Sequence, residues 1–471
     1  MTHIGIIGSG PVGALAALKL LRAGFKVTIL DIGKEYAGPS IHSDDSEIKT
    51  EKLKTFKGST FLYDLNQNLV IDSVIKSPNL FPSQSKEGFS LVWGATWEKF
   101  DTALDLNYEE AYSELDLIIF GLLIETGKKF GPLIQQNLGC NCFVQNLTQL
   151  GLQNKFALTE IDFQVPELAI SSSKCIFHGG CVNGCIENAI WSSADLLQAC
   201  EFYEQFTYLG GTFITSVVEV NCSYVEVHSE RGILHFDSVF ICAGPIGSSA
   251  IVLRSNYAKE ITLHDTRLGI MAFINLHKSP KHDSKFSLAG LSLNIDLRKK
   301  DPLKVKLQLY AHTEEFTDRI LSKVPKVFRP ITRIIFAFLR RRLILSLIYL
   351  PQEISTPLNL KWNLEKQNLQ ISPDDGGHEK FASFRMYFYL LLNSIKTGLV
   401  PIPYINLGAP GDSYHTGAAQ IDSGISGNGA ISPRIRILGA FSLPKIAPGA
   451  ITRTAMAKTL IDLNTFLESE N

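Results

Sequence analysis

Six residues near the start of the chain, Gly8-Ser9-Gly10-Pro11-Val12-Gly13, constrain its fold more than any other stretch. Ahead of them runs His3-Ile4-Gly5-Ile6-Ile7, short, apolar and strand-like. Behind them an apolar helix is predicted from Ala14 to Ala23. A second strand, Lys26 to Leu30, follows and ends on Asp31. This is the order of a dinucleotide-binding βαβ unit. Gly8 permits the tight turn, and Gly10 lets backbone approach a pyrophosphate. Gly13 lets helix and strand pack closely, and the helix N-terminus carrying Pro11 and Val12 faces the phosphates. Asp31 stands where an acidic side chain meets a ribose hydroxyl.

A chain of 471 residues has room for two or three domains and a large core. Hydrophobic residues make up 45% and charged residues 19%, as in an ordinary soluble enzyme. A net charge of −1 supplies no field that would gather nucleic acid, and no nucleic-acid partner is expected. The first strand leaves no room ahead of it for a secretory leader, so a cytoplasmic location is expected. Eight cysteines in such a chain suggest thiols or metal ligands rather than a disulfide scaffold.

Further along, helices are predicted over Asn107–Thr126 and Ser192–Phe206, and alternating strands over Thr212–Val220 and Tyr224–Ser229. Residues 236–244 read as a buried strand ending in glycine. Gly244-Pro245-Ile246-Gly247 then turns into a helix near Ala250–Arg254. Residues 256–409 differ in character, with short strands such as Lys304–Tyr310 and a basic apolar stretch. The tail is glycine-rich and then helical from Thr452 to Phe466. These features predict an α/β fold. Residues 1–255 and 410–471 would form a discontinuous Rossmann-like cofactor domain. Residues 256–409 would form an inserted α+β substrate domain built on an antiparallel sheet.

Five segments in this order resemble the glucose–methanol–choline (GMC) flavoprotein oxidoreductases. They are the opening unit closing on Asp31-Ile32-Gly33, the run Gly88-Phe89-Ser90-Leu91-Val92-Trp93-Gly94-Ala95, residues 236–253, Tyr414-His415-Thr416-Gly417, and residues 442–457. The last is similar to the closing motif of bacterial members associated with sugar or polysaccharide metabolism. The resemblance implies an extended FAD with its adenine end on the βαβ unit. It assigns Trp93, Gly94, Ala95, Gly244 and Ala440 to the cofactor and Val217 to the adenine. It implies removal of a hydride from an alcohol CH–OH group, with His415 taking the hydroxyl proton. Imidazole suits that task because its pKa lies near neutrality.

The chain departs from the family in three places. The closing motif, Pro448-Gly449-Ala450-Ile451-Thr452-Arg453, lacks the usual second His or Asn, leaving Thr452 or Arg453 to substitute. Gly439 stands where an acidic residue is usual, and Glu87-Gly88 stands in place of doubled glycines. Two rival functions follow: a flavin enzyme of another class, or a flavin-binding protein with altered catalysis serving a biosynthetic complex.

Two further segments carry chemistry. Cys175, Cys181 and Cys185, with His178, read C-x2-H-x2-C-x3-C inside the loop 175–185. Three thiolates so spaced could hold an iron–sulfur cluster, Cys3His could hold zinc, or the loop could be structural with reduced thiols. The stretch 318–350 is basic and apolar; its arginines rule out a simple membrane span. It is either a core helix with a solvated cationic face or an interfacial helix pair on the inner face of an anionic membrane. The second choice would suit a lipid-linked sugar as substrate; otherwise the expected substrate is a sugar-like small molecule. The electron acceptor is not encoded in any motif.

Overall fold

The computed structural model describes residues 1–33, 69–73, 82–91, 93–100, 106–125, 161–170, 175, 188–276, 288–297, 303–311, 325–339, 342–374, 379–411, 416–421 and 429–470. Its first six-stranded sheet takes strands from both ends of the chain. The order is Ala430–Ser432, Ile435–Ile437, Ser238–Ile241, His3–Ile7, Lys26–Leu30 and Phe206–Leu209. All neighbours are parallel except the first pair. The central strands are buried on both faces, which explains their mostly apolar composition without alternation. The fingerprint helix Pro11–Arg22 packs on this sheet together with the final helix, Thr452–Glu470. Together they bury Leu15, Leu18, Met456, Leu460 and Phe466.

A three-stranded meander, Ile214–Val220, Tyr224–Ser229 and Gly232–Phe236, sits beside this core. A five-stranded sheet follows the order Gly417–Ile421, Ile261–His264, Leu358–Asn363, Asn368–Pro373 and Ile71–Ser73. The last sheet is antiparallel throughout, in the order Leu399–Leu407, Leu268–Asn275, Leu343–Tyr349, Lys304–Ala311, Leu291–Asp296 and Ile161–Gln164. One face of it carries Met271, Leu293, Leu307 and Ile348 and is covered by Ala382, Met386 and Leu390 of the helix Glu379–Leu392. The other face, called inner below, looks toward the cofactor sheet's loops.

Two sequence expectations need correction. The helix expected over Ser192–Phe206 is shorter, Ala194–Cys200, and Phe206 opens a strand. Parallel pairing with Lys26–Leu30 captures Phe206–Leu209 and ends the helical period. The basic apolar stretch is not one element. Lys326–Phe328 forms a 3₁₀ turn, Arg329–Leu339 a helix, and Leu343–Tyr349 a nearly fully buried central strand. The run Leu343-Ile344-Leu345 therefore offers nothing to a membrane. The helix is not a core helix either, since Ile331 and Ile334 are 59% and 70% exposed. Among the described residues no helix is long and apolar enough to cross a membrane.

Candidate functional site

The opening glycines divide into two kinds. Gly8 has φ +105°, and a side-chain carbon there would stand 2.5 Å from the Cys242 carbonyl oxygen. At Gly13 the added carbon would stand 1.9 Å from the Gly8 carbonyl oxygen, so the helix can meet the turn only as glycine. Gly10 differs: its nearest neighbour would be the Glu87 carbonyl oxygen at 4.0 Å. At Gly94 and Gly244 nothing lies within 4 Å. The first kind holds the chain together, and the second faces open space along the path a long ligand would take. The fingerprint helix begins at Pro11 with no side-chain cap and no acid in its first turn. Its first N–H groups and the positive end of its dipole are therefore left for an anion. A diphosphate fits this cradle, and FAD is the group these residues suit.

Asp31 is buried at the end of the second strand. Its Oδ2 accepts the Ser9 N–H at 2.5 Å and its Oδ1 accepts the Gly33 N–H. Burial pushes its pKa up, opposed by those hydrogen bonds. The carboxylate thus ties the glycine turn to the strand end. Across the turn sits Glu87, at φ +79°. Its N–H donates to Ser9 Oγ at 3.2 Å, and its side chain accepts from Ser192 Oγ at 2.9 Å. Ser90 and Ser193 donate to its carbonyl at 2.7 and 3.2 Å. Burial raises the Glu87 pKa as well. Glu87-Gly88, read in sequence as a departure from doubled glycines, borders Gly10, a side-chain carbon on Gly88 standing 3.3 Å from the Gly10 Cα.

The segment after it enters the interior. Trp93 donates from Nε1 to the Trp191 carbonyl at 2.8 Å, and Trp93, Trp97 and Trp191 pack as three rings. Ala95, at φ +55°, is fully buried. Val92 lies outside the described residues. Phe100 then joins a small cluster with Ala418, Ala440, Ile446 and Ile451. That cluster unites the chain just past residues 88–95, the strand after the His415 motif and the closing motif. His415 itself lies outside the described residues, but Thr416 beside it is buried. At Gly417 an added carbon would stand 2.3 Å from the Ala440 carbonyl oxygen. Gly439, at φ +86°, leaves no room for a side chain, since its carbon would stand 2.8 Å from Val12. The glycine found where an acid was expected is thus the contact that seats the tail on the fingerprint helix.

Thr452 is the first residue of the final helix and is half-buried. Arg453 cannot substitute for the absent His or Asn. It is turned under Trp97, donating to Asp116 at 2.5 Å, Glu167 at 2.7 Å and the Trp97 carbonyl at 3.1 Å. Val217 is fully buried, and its N–H donates to Ser255 Oγ at 2.9 Å.

The inner face of the antiparallel sheet supplies residues that the motifs did not. Lys306, Gln308 and Tyr310 alternate along one strand and share that face with Ser292 and Tyr349. Lys306 pairs with Glu98, just past the flavin segment, and Ser292 donates to Glu98 at 3.3 Å. Gly449 of the closing motif, at φ +116°, sits against both members of the pair. The Tyr310 and Tyr349 hydroxyls donate to Gln308 Oε1 at 2.9 and 3.4 Å. Burial raises both tyrosine pKa values, so they remain donors. Gln308 is 2% exposed, and its Nε2 has no partner among the described residues. The signal was in the sequence: Lys, Gln and Tyr at every second position of an otherwise apolar strand. Beside these groups Ile270, Ala272, Leu345 and Leu347 add an apolar patch to the same face, with Asn294 opposite Lys306.

Solved structures match the chain over its whole length. Pyridoxine 4-oxidase from Mesorbium loti superposes with TM-score 0.60 at 13% identity, covering 99% of each chain. Formate oxidase superposes with TM-score 0.63 at 13% identity, covering 100% of this chain and 99% of its own. The chain has the glucose–methanol–choline oxidoreductase fold. A mutant Aspergillus oryzae RIB40 formate oxidase, in a structure concerned with FAD modification, gives TM-score 0.62 at 13% identity over 100% and 99%. No protein-family model and no curated protein matches the sequence.

Within this GMC fold the cysteine loop is only partly described. Cys175 is half-buried with a free thiol, while His178, Cys181 and Cys185 lie outside the described residues. Among the described residues no three His, Cys, Asp or Glu side chains are grouped to hold a metal ion. Cys200 is a buried thiol with its pKa pushed up to about 12, and Cys242 is pushed up further. Both are inert core residues.

Proposed function

We propose that the chain is an FAD-dependent oxidoreductase that removes a hydride from the CH–OH group of a sugar or a lipid-linked sugar. The observation that carries this is the small cluster of Phe100, Ala418, Ala440, Ile446 and Ile451. It gathers Phe100, just past the segment 88–95, with the strand that follows His415 and the closing motif. FAD, when bound, supplies the hydride acceptor.

The chain's own residues do the rest. Gly10 and the open end of the fingerprint helix hold the diphosphate, and Asp31 offers its carboxylate to the adenosine ribose. His415 takes the proton of the substrate hydroxyl, because an alcohol releases its hydride readily only once that proton is leaving. No His or Asn from the closing motif helps it. The Lys306 ammonium, held by Glu98 beside Gly449, stabilises developing negative charge on the substrate oxygen. The Gln308 amide donates to a second substrate oxygen. The polar and apolar halves of the inner face suit a substrate that is itself part polar and part apolar.

Anaerobic mixing of the FAD-loaded protein with candidate sugars tests this through bleaching of the flavin band. His415→Ala should slow reduction by roughly 10²–10⁴-fold while FAD stays bound. Undiminished reduction in that variant would overturn the assignment of the base. Protein that takes up no FAD would overturn the function as a whole.

A further inference from the structure

Two helices of the middle segment present apolar side chains to solvent, and they do so at one edge of the molecule. The first is the turn and helix over Lys326–Phe328 and Arg329–Leu339. Val327 is 81%, Phe328 58%, Ile331 59% and Ile334 70% exposed. Lys326, Arg329 and Arg333 follow the same helical spacing alongside them. From Pro325 to Arg342 the sequence contains no Asp or Glu.

The second is Glu379–Leu392 continued by Ser394–Thr397. Its inward face, Ala382, Met386 and Leu390, is buried on the sheet. Its outward face carries Phe381, Phe384, Phe388, Leu391 and Ile395, a stripe at unbroken helical spacing that is exposed throughout, with Ile395 at 88%. The Phe384 and Phe388 rings pack together, with centroids 4.6 Å apart. Arg385 is exposed beside the stripe.

Both helices run into strands of one sheet that flank Leu268–Asn275, at the same end of it. Asn275 donates its N–H to the Arg342 carbonyl at 2.7 Å, and Leu276 donates to the Gly398 carbonyl at 2.8 Å. Leu276, itself half exposed, also accepts from Arg342 at 3.3 Å. The two apolar stripes are therefore anchored one strand to either side of Leu268–Asn275, not scattered over the surface.

We propose that this edge is a docking surface for an anionic phospholipid bilayer, on which the protein lies peripherally. The charge pattern selects that occupant. Apolar and aromatic side chains on two separate helices suit the flat boundary between headgroups and acyl chains. A run of cations free of acidic residues suits anionic headgroups. The aromatic stripe supplies the second of the two signals that stable membrane attachment requires.

Co-sedimentation of the purified full-length protein with vesicles tests this and is read by protein, so it stands apart from the flavin chemistry. Vesicles of phosphatidylcholine are compared with vesicles holding about one-third phosphatidylglycerol. The anionic vesicles should bind at least tenfold more protein. Binding should fall several-fold between about 0.1 M and about 1 M salt as the Debye length shrinks from ~10 Å to ~3 Å. The double variants Phe384→Ser/Phe388→Ser and Ile331→Ser/Ile334→Ser should each lose at least tenfold in binding with an unchanged melting temperature, because these side chains support no core. Failure to bind anionic vesicles overturns the proposal, as does full binding by both double variants. Concentration-dependent dimers that both variants abolish, without vesicle binding, would assign the surface to a second copy instead.

Discussion

Gly10 and Gly13 are three residues apart and do different work. Gly13 is needed by the empty protein, because a methyl group there would collide with the Gly8 carbonyl. Gly10 is needed only when something lies over it. Gly13→Ala should therefore destabilise the protein by about 3 kcal/mol or more, a backbone clash with no side chain to yield. Gly10→Ala should melt within a degree or two of wild type without FAD, yet bind FAD far more weakly. Thermal melts with and without FAD separate the two. Equal destabilisation by both would mean that the space over Gly10 is not a ligand's. The fingerprint assigns Gly10 to the approach of a pyrophosphate and Gly13 to close packing, and the structure shows the close packing at Gly13. Gly439 carries a packing role that no motif announces. From sequence it is a missing carboxylate, and in space it is the one residue that fits against Val12. Lys306 and Gln308 went unread because nothing local marks which face of a strand looks toward a cofactor.

The final helix shows how an element binds distant motifs into one site. Arg453 ties it to the long helix Leu106–Glu125 through Asp116, and Asp462 receives Ser442 Oγ at 3.5 Å from the turn that carries Gly439. Asp462 pairs with Lys458 one turn earlier and is almost wholly buried. Burial raises its pKa to about 6, with Lys458 only partly offsetting the cost. The fold thus favours the protonated carboxyl. That contribution is complete below the unfolded value near 4 and is lost as pH rises through about 6. Asp462→Asn lacks it at every pH. The stability difference between variant and wild type should therefore shrink as pH rises from about 4 to about 6.5, followed by chemical denaturation. A difference independent of pH would show that Asp462 does not titrate as described. Element boundaries were legible where hydrophobic period was strong, as in Tyr224–Ser229 and Lys304–Ala311, whereas the final helix, expected to end at Phe466, runs on to Glu470 through a polar turn without that period. They failed where partners decide. Phe206–Leu209 is a strand because Lys26–Leu30 lies beside it, and Leu343–Tyr349 is one because two strands enclose it.

For the molecule as a whole, the cofactor sheet and the small cluster around Ala440 join segments from both ends of the chain. A ligand gripped by several of these segments stabilises them together. At a hundredfold excess over its Kd, FAD should add about 2.7 kcal/mol to the unfolding free energy. Hydrogen exchange should slow together over residues 8–13, 93–98, 416–421 and 439–442 on FAD loading. Protection confined to the first of these would place the isoalloxazine elsewhere. The order of the motifs was enough to infer this shared cradle. The chemistry of the inner sheet face and the apolar edge was not, because both depend on which strands neighbour one another.

The interleaving of strands also dictates a schedule. On a ribosome the glycine turn emerges well before two strands of its own sheet, Ser238–Ile241 and Ile435–Ile437. The nucleotide pocket therefore cannot close until both have been made. Until Ser238–Ile241 appears, His3–Ile7 lacks a neighbour on that side, and an apolar strand left unpaired is prone to aggregate.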